Sequence, residues 1–499
     1  VYSFSANDYT YTNHDKKLNI YDDDRNIIGQ YYPREHNRNG AYHDLHILQE
    51  ASYNTLHGDR ISLSAWYIDS SRELPLLTTD YTEATRYENY QREHTIRAIV
   101  NWNHTRSRWK TMVSGGYIHT SMAYDYSRET AAGATMAAMT RSRSHVNTFH
   151  VYADGEFMPT RRWLLTASLS ADQHTVLSHD KTVTSTDGNN RRIGYDVGQF
   201  ETSAALSIKW KPSERTGVSA TLRKELYGTA WTPLIPALFA EFVVDPRSGL
   251  IVKASVIRNH RYPSLNDLYF MPGGNPDLNS EHGISYDCSL DIPAKNITDN
   301  WKAGISVTWF DSHIDDWIIW LPTTKGFFSP RNMKKVHAYG IEATAHTDVT
   351  LWRDWLLNIN GSMSWTPSVN EGDRMSEADI SVGKQLPYVP RRSASMTASL
   401  RWRTWSVLYK WCHYSQRFTM SSNEATLTGK LPPYYMSNIS VEKQLSFRPA
   451  DLSLKLAVNN LFNEDYLSVL SHPMPGINFE LFISITPRLT MGKPKTPII

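Results

Sequence analysis

The stretch that decides the fold is Trp163-Leu164-Leu165-Thr166-Ala167-Ser168-Leu169-Ser170-Ala171-Asp172. Trp163, Leu165, Ala167, Leu169 and Ala171 are apolar, and the residues between them are mostly small or polar. A period of two belongs to a β-strand with two unlike faces. The same period returns at 96–102, 204–210, 355–365, 394–402, 452–458 and 479–485. No charge falls on these apolar faces. Lys or Arg at mid-depth in lipid would cost about 2–4 kcal/mol. With Ser, Thr, Asn and Lys opposite, the pattern predicts an apolar side facing acyl chains and a polar side enclosing a lumen.

Working outward from these segments, tryptophan marks their ends: Trp102, Trp163, Trp210, Trp355, Trp365 and Trp402. Rings with a polar handle favour the membrane–water interface. Connections alternate in length. Short ones lie at 57–59, 159–162, 211–215, 245–249 and 448–451. Long polar stretches lie at 12–42, 70–94, 120–146, 174–198, 259–283, 312–337, 366–392, 416–434 and 460–476. Outer-membrane barrels sort their loops this way, and a soluble sandwich does not. A soluble propeller would also alternate, but without sorted loops or tryptophan ends. No uncharged apolar run of 18 residues is present, so transmembrane helices are not expected.

The expected fold is therefore all-β: a large antiparallel transmembrane β-barrel over residues 1–487, with a tail at 488–499. About 20 strands are countable, where large plugged barrels have 22. Parity of the loops places the first countable segment third in such a barrel. On that basis the chain, which starts at Val1, is expected to be a fragment of a longer protein.

Charge and cysteines bound the remaining possibilities. A net charge of +2 over 499 residues gives no bulk electrostatic case for nucleic acid. Cys288 and Cys412 do not make a disulfide framework, although two thiols can pair. Cys288 sits between Tyr286 and Leu290 on an apolar face and reads as a buried or lipid-facing thiol. There is no nucleophile elbow, phosphate-binding glycine loop, zincin helix or Cys-x-x-Cys. The protein is expected not to be an enzyme. A barrel hydrolase and a passive porin are the rival classes.

Several strings resemble the TonB-dependent outer-membrane receptor family. Asn459-Asn460-Leu461-Phe462-Asn463, then Tyr466 and Pro473-Met474-Pro475-Gly476, is similar to the family's C-terminal signature. Arg261-Tyr262-Pro263-Ser264-Leu265, Leu268-Tyr269-Phe270, Gly274-Asn275-Pro276-Asp277-Leu278 and Glu281 resemble its mid-barrel motif. Tyr339-Gly340-Ile341-Glu342 and Leu386-Pro387-Tyr388-Val389-Pro390-Arg391 fall where the family places such strings. Proline and glycine suit these motifs to shaping the rim rather than touching ligand. The resemblance implies a Gram-negative outer-membrane importer of a scarce, large nutrient. It also implies an N-terminal plug that engages TonB, which this chain does not contain, and contact with lipopolysaccharide and with a surface lipoprotein.

The sequence as a whole resembles the cobalamin branch, which makes cobalamin or another corrinoid the first expected cargo. A ferric siderophore or haem is the alternative. Haem receptors of the family carry a histidine between the Arg-x-Pro and Asn-Pro strings. Here residues 264–274 have none, with His260 and His282 flanking. Aromatic faces suit a corrin or catecholate, so Tyr124, Tyr126, Trp317, Trp320, Phe327 and Phe328 are the expected ligand contacts, placed on long loops. Trp317-Ile318-Ile319-Trp320 also reads as a strand end in the aromatic girdle. Arg141, Arg143, Arg191 and Arg192 suit an anionic complex or lipopolysaccharide. Asp22, Asp23 and Asp24 resemble the calcium-holding acidic loop of cobalamin receptors. Calcium needs several oxygens at one centre, and three consecutive aspartates in an extended loop cannot all face one ion. A solvated acidic turn is the competing reading.

Overall fold

The computed structural model describes residues 1–488 except 38–39, 57, 76–77, 79–85, 132, 185–191, 271–272, 323–327, 375–376 and 378. Among the described residues, twenty strands form the wall. The first ten are β1 (Tyr2–Ser5), β2 (Tyr42–Asn54), β3 (Asp59–Glu73), β4 (Tyr87–Arg106), β5 (Trp109–Glu129), β6 (Met136–Thr160), β7 (Trp163–Thr184), β8 (Arg192–Ser213), β9 (Thr216–Tyr227) and β10 (Ile235–Asp245). The others are β11 (Leu250–Arg261), β12 (Glu281–Thr298), β13 (Trp301–Pro322), β14 (Phe328–Trp352), β15 (Trp355–Trp365), β16 (Arg392–Trp402), β17 (Trp405–Tyr414), β18 (Tyr434–Ser446), β19 (Ala450–Asn459) and β20 (Asn478–Pro487). Each pairs antiparallel with its successor, as in Leu165↔Ile208 between β7 and β8 and Leu454↔Ile483 between β19 and β20. Ala230–Trp231 and Ser368–Asn370 join the same sheet, giving it 22 segments. The one described helix, α1 (Leu265–Tyr269), lies between β11 and β12.

The apolar stripes are not packed into a dry protein interior. Phe149, Leu169, Leu206 and Leu238 are each more than half exposed. Polar side chains meet on the other face: Ser144 with Ser178, His150 with Asp172, Lys253 with Asp291 and His346 with Asn360. That inner wall opens into recesses of about 260 Å³ beside Lys209 and Glu241 and about 670 Å³ beside His346 and Asn360.

The tryptophans bound the apolar band. Trp163 stacks on Trp210 at 5.6 Å and Trp355 on Trp402 at 5.3 Å, next to the tight turns. Trp355 and Trp365 close the two ends of β15 on one face. Ten residues span roughly 33 Å of strand, and at a 40° tilt about 25 Å of height. That matches the apolar band of an outer-membrane barrel. The two cysteines are both free. Cys288 is exposed among outward Tyr286 and Leu290, while Cys412 shares its parity with Tyr414 on the inner face.

Loop sorting holds, but the long connections are shorter than expected. Strand β5 runs to Glu129 and β6 starts at Met136, so most of 120–146 is sheet. Strands β7 and β8 likewise consume much of 174–198, and β13 and β14 much of 312–337. Only about 9–11 residues cross a membrane, and β6 and β14 each have 25. The excess projects beyond the lipid, where both faces of a strand meet water and hydrophobic contrast fades. Apart from Arg488, whose guanidinium binds Asp451, the tail lies outside the described residues.

Leu169 lies six residues inside Trp163, near mid-depth, and Ser168 points to the lumen. Leu169→Arg is expected to cost about 2–4 kcal/mol and to impair assembly. Ser168→Arg is expected to assemble normally, as read by heat-modifiable mobility on gels.

Candidate ligand-binding mouth

The long-loop end of the lumen is the candidate site. Tyr124 and Tyr126 lie on β5, not on a loop as expected. Their neighbour Thr120 pairs with Thr95, whose hydroxyl is 3.0 Å away on the inner face. Alternation then puts Tyr124 and Tyr126 on the inner face as well, above the apolar band.

Sequence reasoning missed a larger aromatic group further along the wall. Tyr227 stacks on Tyr262 at 4.5 Å and 13°. Tyr195 approaches Tyr269 at 6.4 Å and donates its hydroxyl to Asn266 Oδ1. A second group joins Tyr414, Tyr434 and Tyr466 through centroid distances of 5.4 and 4.8 Å. Burial and the neighbouring Tyr434 push the Tyr466 phenol up to about 12, so it stays a neutral donor. The usable signal is parity: Tyr195 and Tyr227 continue the polar, inward register of β8 and β9.

The motif residues build the rim that holds these rings. Ser264 caps α1, its hydroxyl accepting from the Asp267 backbone N–H while the Asp267 carboxylate accepts from Ser264 N. Arg261 grips Glu281 through two 2.6 Å bonds, and Glu281 also accepts from Ile318 N at 2.9 Å. Asn460 Oδ1 accepts from Glu464 N, and its amide donates to the Glu464 and Pro475 carbonyls. Asn460 and Asn463 both take positive φ, which asparagine tolerates. Arg417 is buried and donates to the Leu467 and Ser468 carbonyls.

Trp317 and Trp320 are on β13 rather than a loop, and outside the girdle, which that strand meets at Trp309. Trp317 packs on a small core of Met333, Val336 and Leu386. Trp320 donates its indole N–H to Asp267 Oδ1 at 2.9 Å. Both brace the rim. Phe327 lies outside the described residues, and Phe328 begins β14.

The aspartates 22–24 form the turn of a hairpin between Leu18–Tyr21 and Ile27–Tyr31. Asp22 accepts from Asn26 N at 2.7 Å, Asp24 N at 3.0 Å and the Asn26 amide at 3.1 Å. These bonds, the Asn26 backbone bond foremost, hold its carboxyl below the usual range. Asp22 thus serves as the turn's own cap. Arg143 donates from Nη2 to both carboxylate oxygens of Asp125, at 2.9 and 3.0 Å. Both have outward parity, which turns Arg143 away from the lumen. Arg191 lies outside the described residues.

A membrane wall of sorted antiparallel strands around a polar lumen defines an outer-membrane barrel. The chain belongs to the TonB-dependent receptor family: the family model described as TonB dependent receptor-like, beta-barrel, matches residues 2–461. That family is one of receptors and transporters, not enzymes. The vitamin B12 transporter BtuB of Photobacterium profundum is 28% identical over 230 residues, 44% of this chain and 33% of that protein. The match thus spans a third of that relative. Among solved structures, the copper transporter OprC gives a TM-score of 0.67 at 14% identity, covering 91% of this chain and 73% of that one. The siderophore receptor PiuA from Acinetobacter baumannii gives 0.67 at 11% identity, covering 90% and 75%. Likeness at these identities shows the fold.

Glu281 joins the Arg261 guanidinium to the backbone of β13. Glu281→Ala is expected to cost about 1–3 kcal/mol locally, because it strands the Ile318 N–H. Faster amide exchange at 262–280 and 317–320, with the rest of the wall unchanged, is the expected readout.

Proposed function

We propose that this chain is the wall of an outer-membrane receptor that captures a corrinoid, cobalamin or a close analogue, at the outer mouth. Import would then draw on energy relayed by TonB through a plug seated in the lumen. The observation that carries the cargo is the sequence match to a protein named as a vitamin B12 transporter. The mouth's chemistry supports it. Tyrosine faces give a flat macrocycle contact area, and neutral phenols supply hydrogen bonds at low cost in side-chain entropy. Tyr124 and Tyr126 are the leading candidates, since the tyrosines beside α1 are tied to the rim. Outward Arg143 and Arg141 suit the anionic sugars of lipopolysaccharide.

The test uses outer membranes from cells expressing the full receptor. Cyanocobalamin is expected to bind and co-purify with its corrinoid absorbance. Replacing both Tyr124 and Tyr126 by alanine removes two ring contacts of about 1 kcal/mol each, a loss of roughly ten- to thirty-fold in affinity. Binding of a ferric catecholate but not of cobalamin would overturn the assignment.

A further inference from the structure

The outward face carries a cluster that the lumen does not use. His313 on β13 pairs with His337 on β14, and Asp311 with Tyr339, so all four side chains share one face. The imidazoles stack at 4.1 Å and 16°. His313 Nε2 lies 2.9 Å from Asp311 Oδ1, and His337 Nε2 lies 3.1 Å from Asp311 Oδ2. One donor atom from each residue falls within 4.8 Å of the others. His337 Nδ1 lies 2.8 Å from Glu371 Oε1.

That last contact decides what His337 can do. A carboxylate accepting from Nδ1–H fixes the tautomer and leaves the Nε2 lone pair free, the usual arrangement around a metal-bound histidine. That lone pair then faces an Asp311 oxygen, a contact that either a proton on this ring or a metal ion between the two groups satisfies. Protons on both rings would instead stack two imidazolium charges 4.1 Å apart, where like charges repel. One shared divalent ion satisfies both nitrogens and the carboxylate together.

We propose that Asp311, His313 and His337 bind a divalent transition-metal ion of the zinc class on the outside of the wall, with Glu371 orienting His337. Zinc bonds of about 2.0–2.1 Å set neighbouring donors about 3.3 Å apart in a tetrahedron. The contacts to Asp311 at 2.9 and 3.1 Å are already near that edge length. Imidazole ligands favour zinc-like ions over calcium or magnesium, which prefer all-oxygen sites. The cluster sits just beyond the girdle. His337 touches the Tyr339 ring at 4.7 Å, and Tyr339 meets Trp365 edge-on at 5.8 Å. An ion there staples β13 to β14 and, through Glu371, to the segment after Ser368–Asn370.

The test is zinc titration by calorimetry on the purified full receptor, with Co²⁺ as a visible-absorbance probe of the ligand set. The wild type is expected to bind one ion that His313→Ala or Asp311→Asn weakens by at least about 100-fold. Glu371→Gln is expected to weaken it about 10- to 100-fold without touching the ion. Heat-modifiable mobility confirms that each variant is folded. If the wild type holds no such ion, or if a folded variant lacking both histidines binds zinc equally well, the cluster is a hydrogen-bonded group and the proposal fails.

Discussion

The wall depends on one constraint: in hydrocarbon, a backbone N–H or C=O without a partner costs several kcal/mol, and water is not there to help. Strand-to-strand registers from β1 to β20 meet it by tying each strand to the next. Once the backbone is committed to a sheet, side chains alternate between two solvents. Leu169 and Leu206 face lipid, while Ser168 and Ser207 do not. The tryptophans then fall where the two solvents meet, as the stacked Trp163–Trp210 and Trp355–Trp402 pairs show.

The same alternation explains what the sequence reveals and what it hides. Inside the membrane the two faces differ sharply, so 163–172 is legible residue by residue. Beyond the girdle both faces meet water and the contrast is lost. Residues 120–146 therefore read as a loop although most are strand. Trp317 reads as a girdle or ligand residue because its partners are distant in sequence. Its cover comes from Leu386, on the connection after β15. His313 and His337 are 24 residues apart, and only the β13–β14 register makes them neighbours.

The rim motifs are legible in kind. Proline, glycine and asparagine announce fixed turns, and Asn460, Asn463 and the Ser264–Asp267 cap make them. Their bonds run to other rim segments, so they position the mouth. The contact surface we propose is made instead by inward tyrosines on strands that rise above the lipid. A receptor mouth built on strand extensions has a rigid backing, which reduces the ordering cost of binding a large ligand.

The central claim is that odd positions of β15 face acyl chains and even positions face the lumen. Its most direct test is a nitroxide scan of residues 355–365 in bilayers, read with molecular oxygen and a polar nickel chelate as relaxation agents. The account predicts a period of two, with oxygen favoured at 357, 359, 361 and 363 and the chelate at 358, 360, 362 and 364. Equal accessibility along the strand, or the opposite phase, would contradict it.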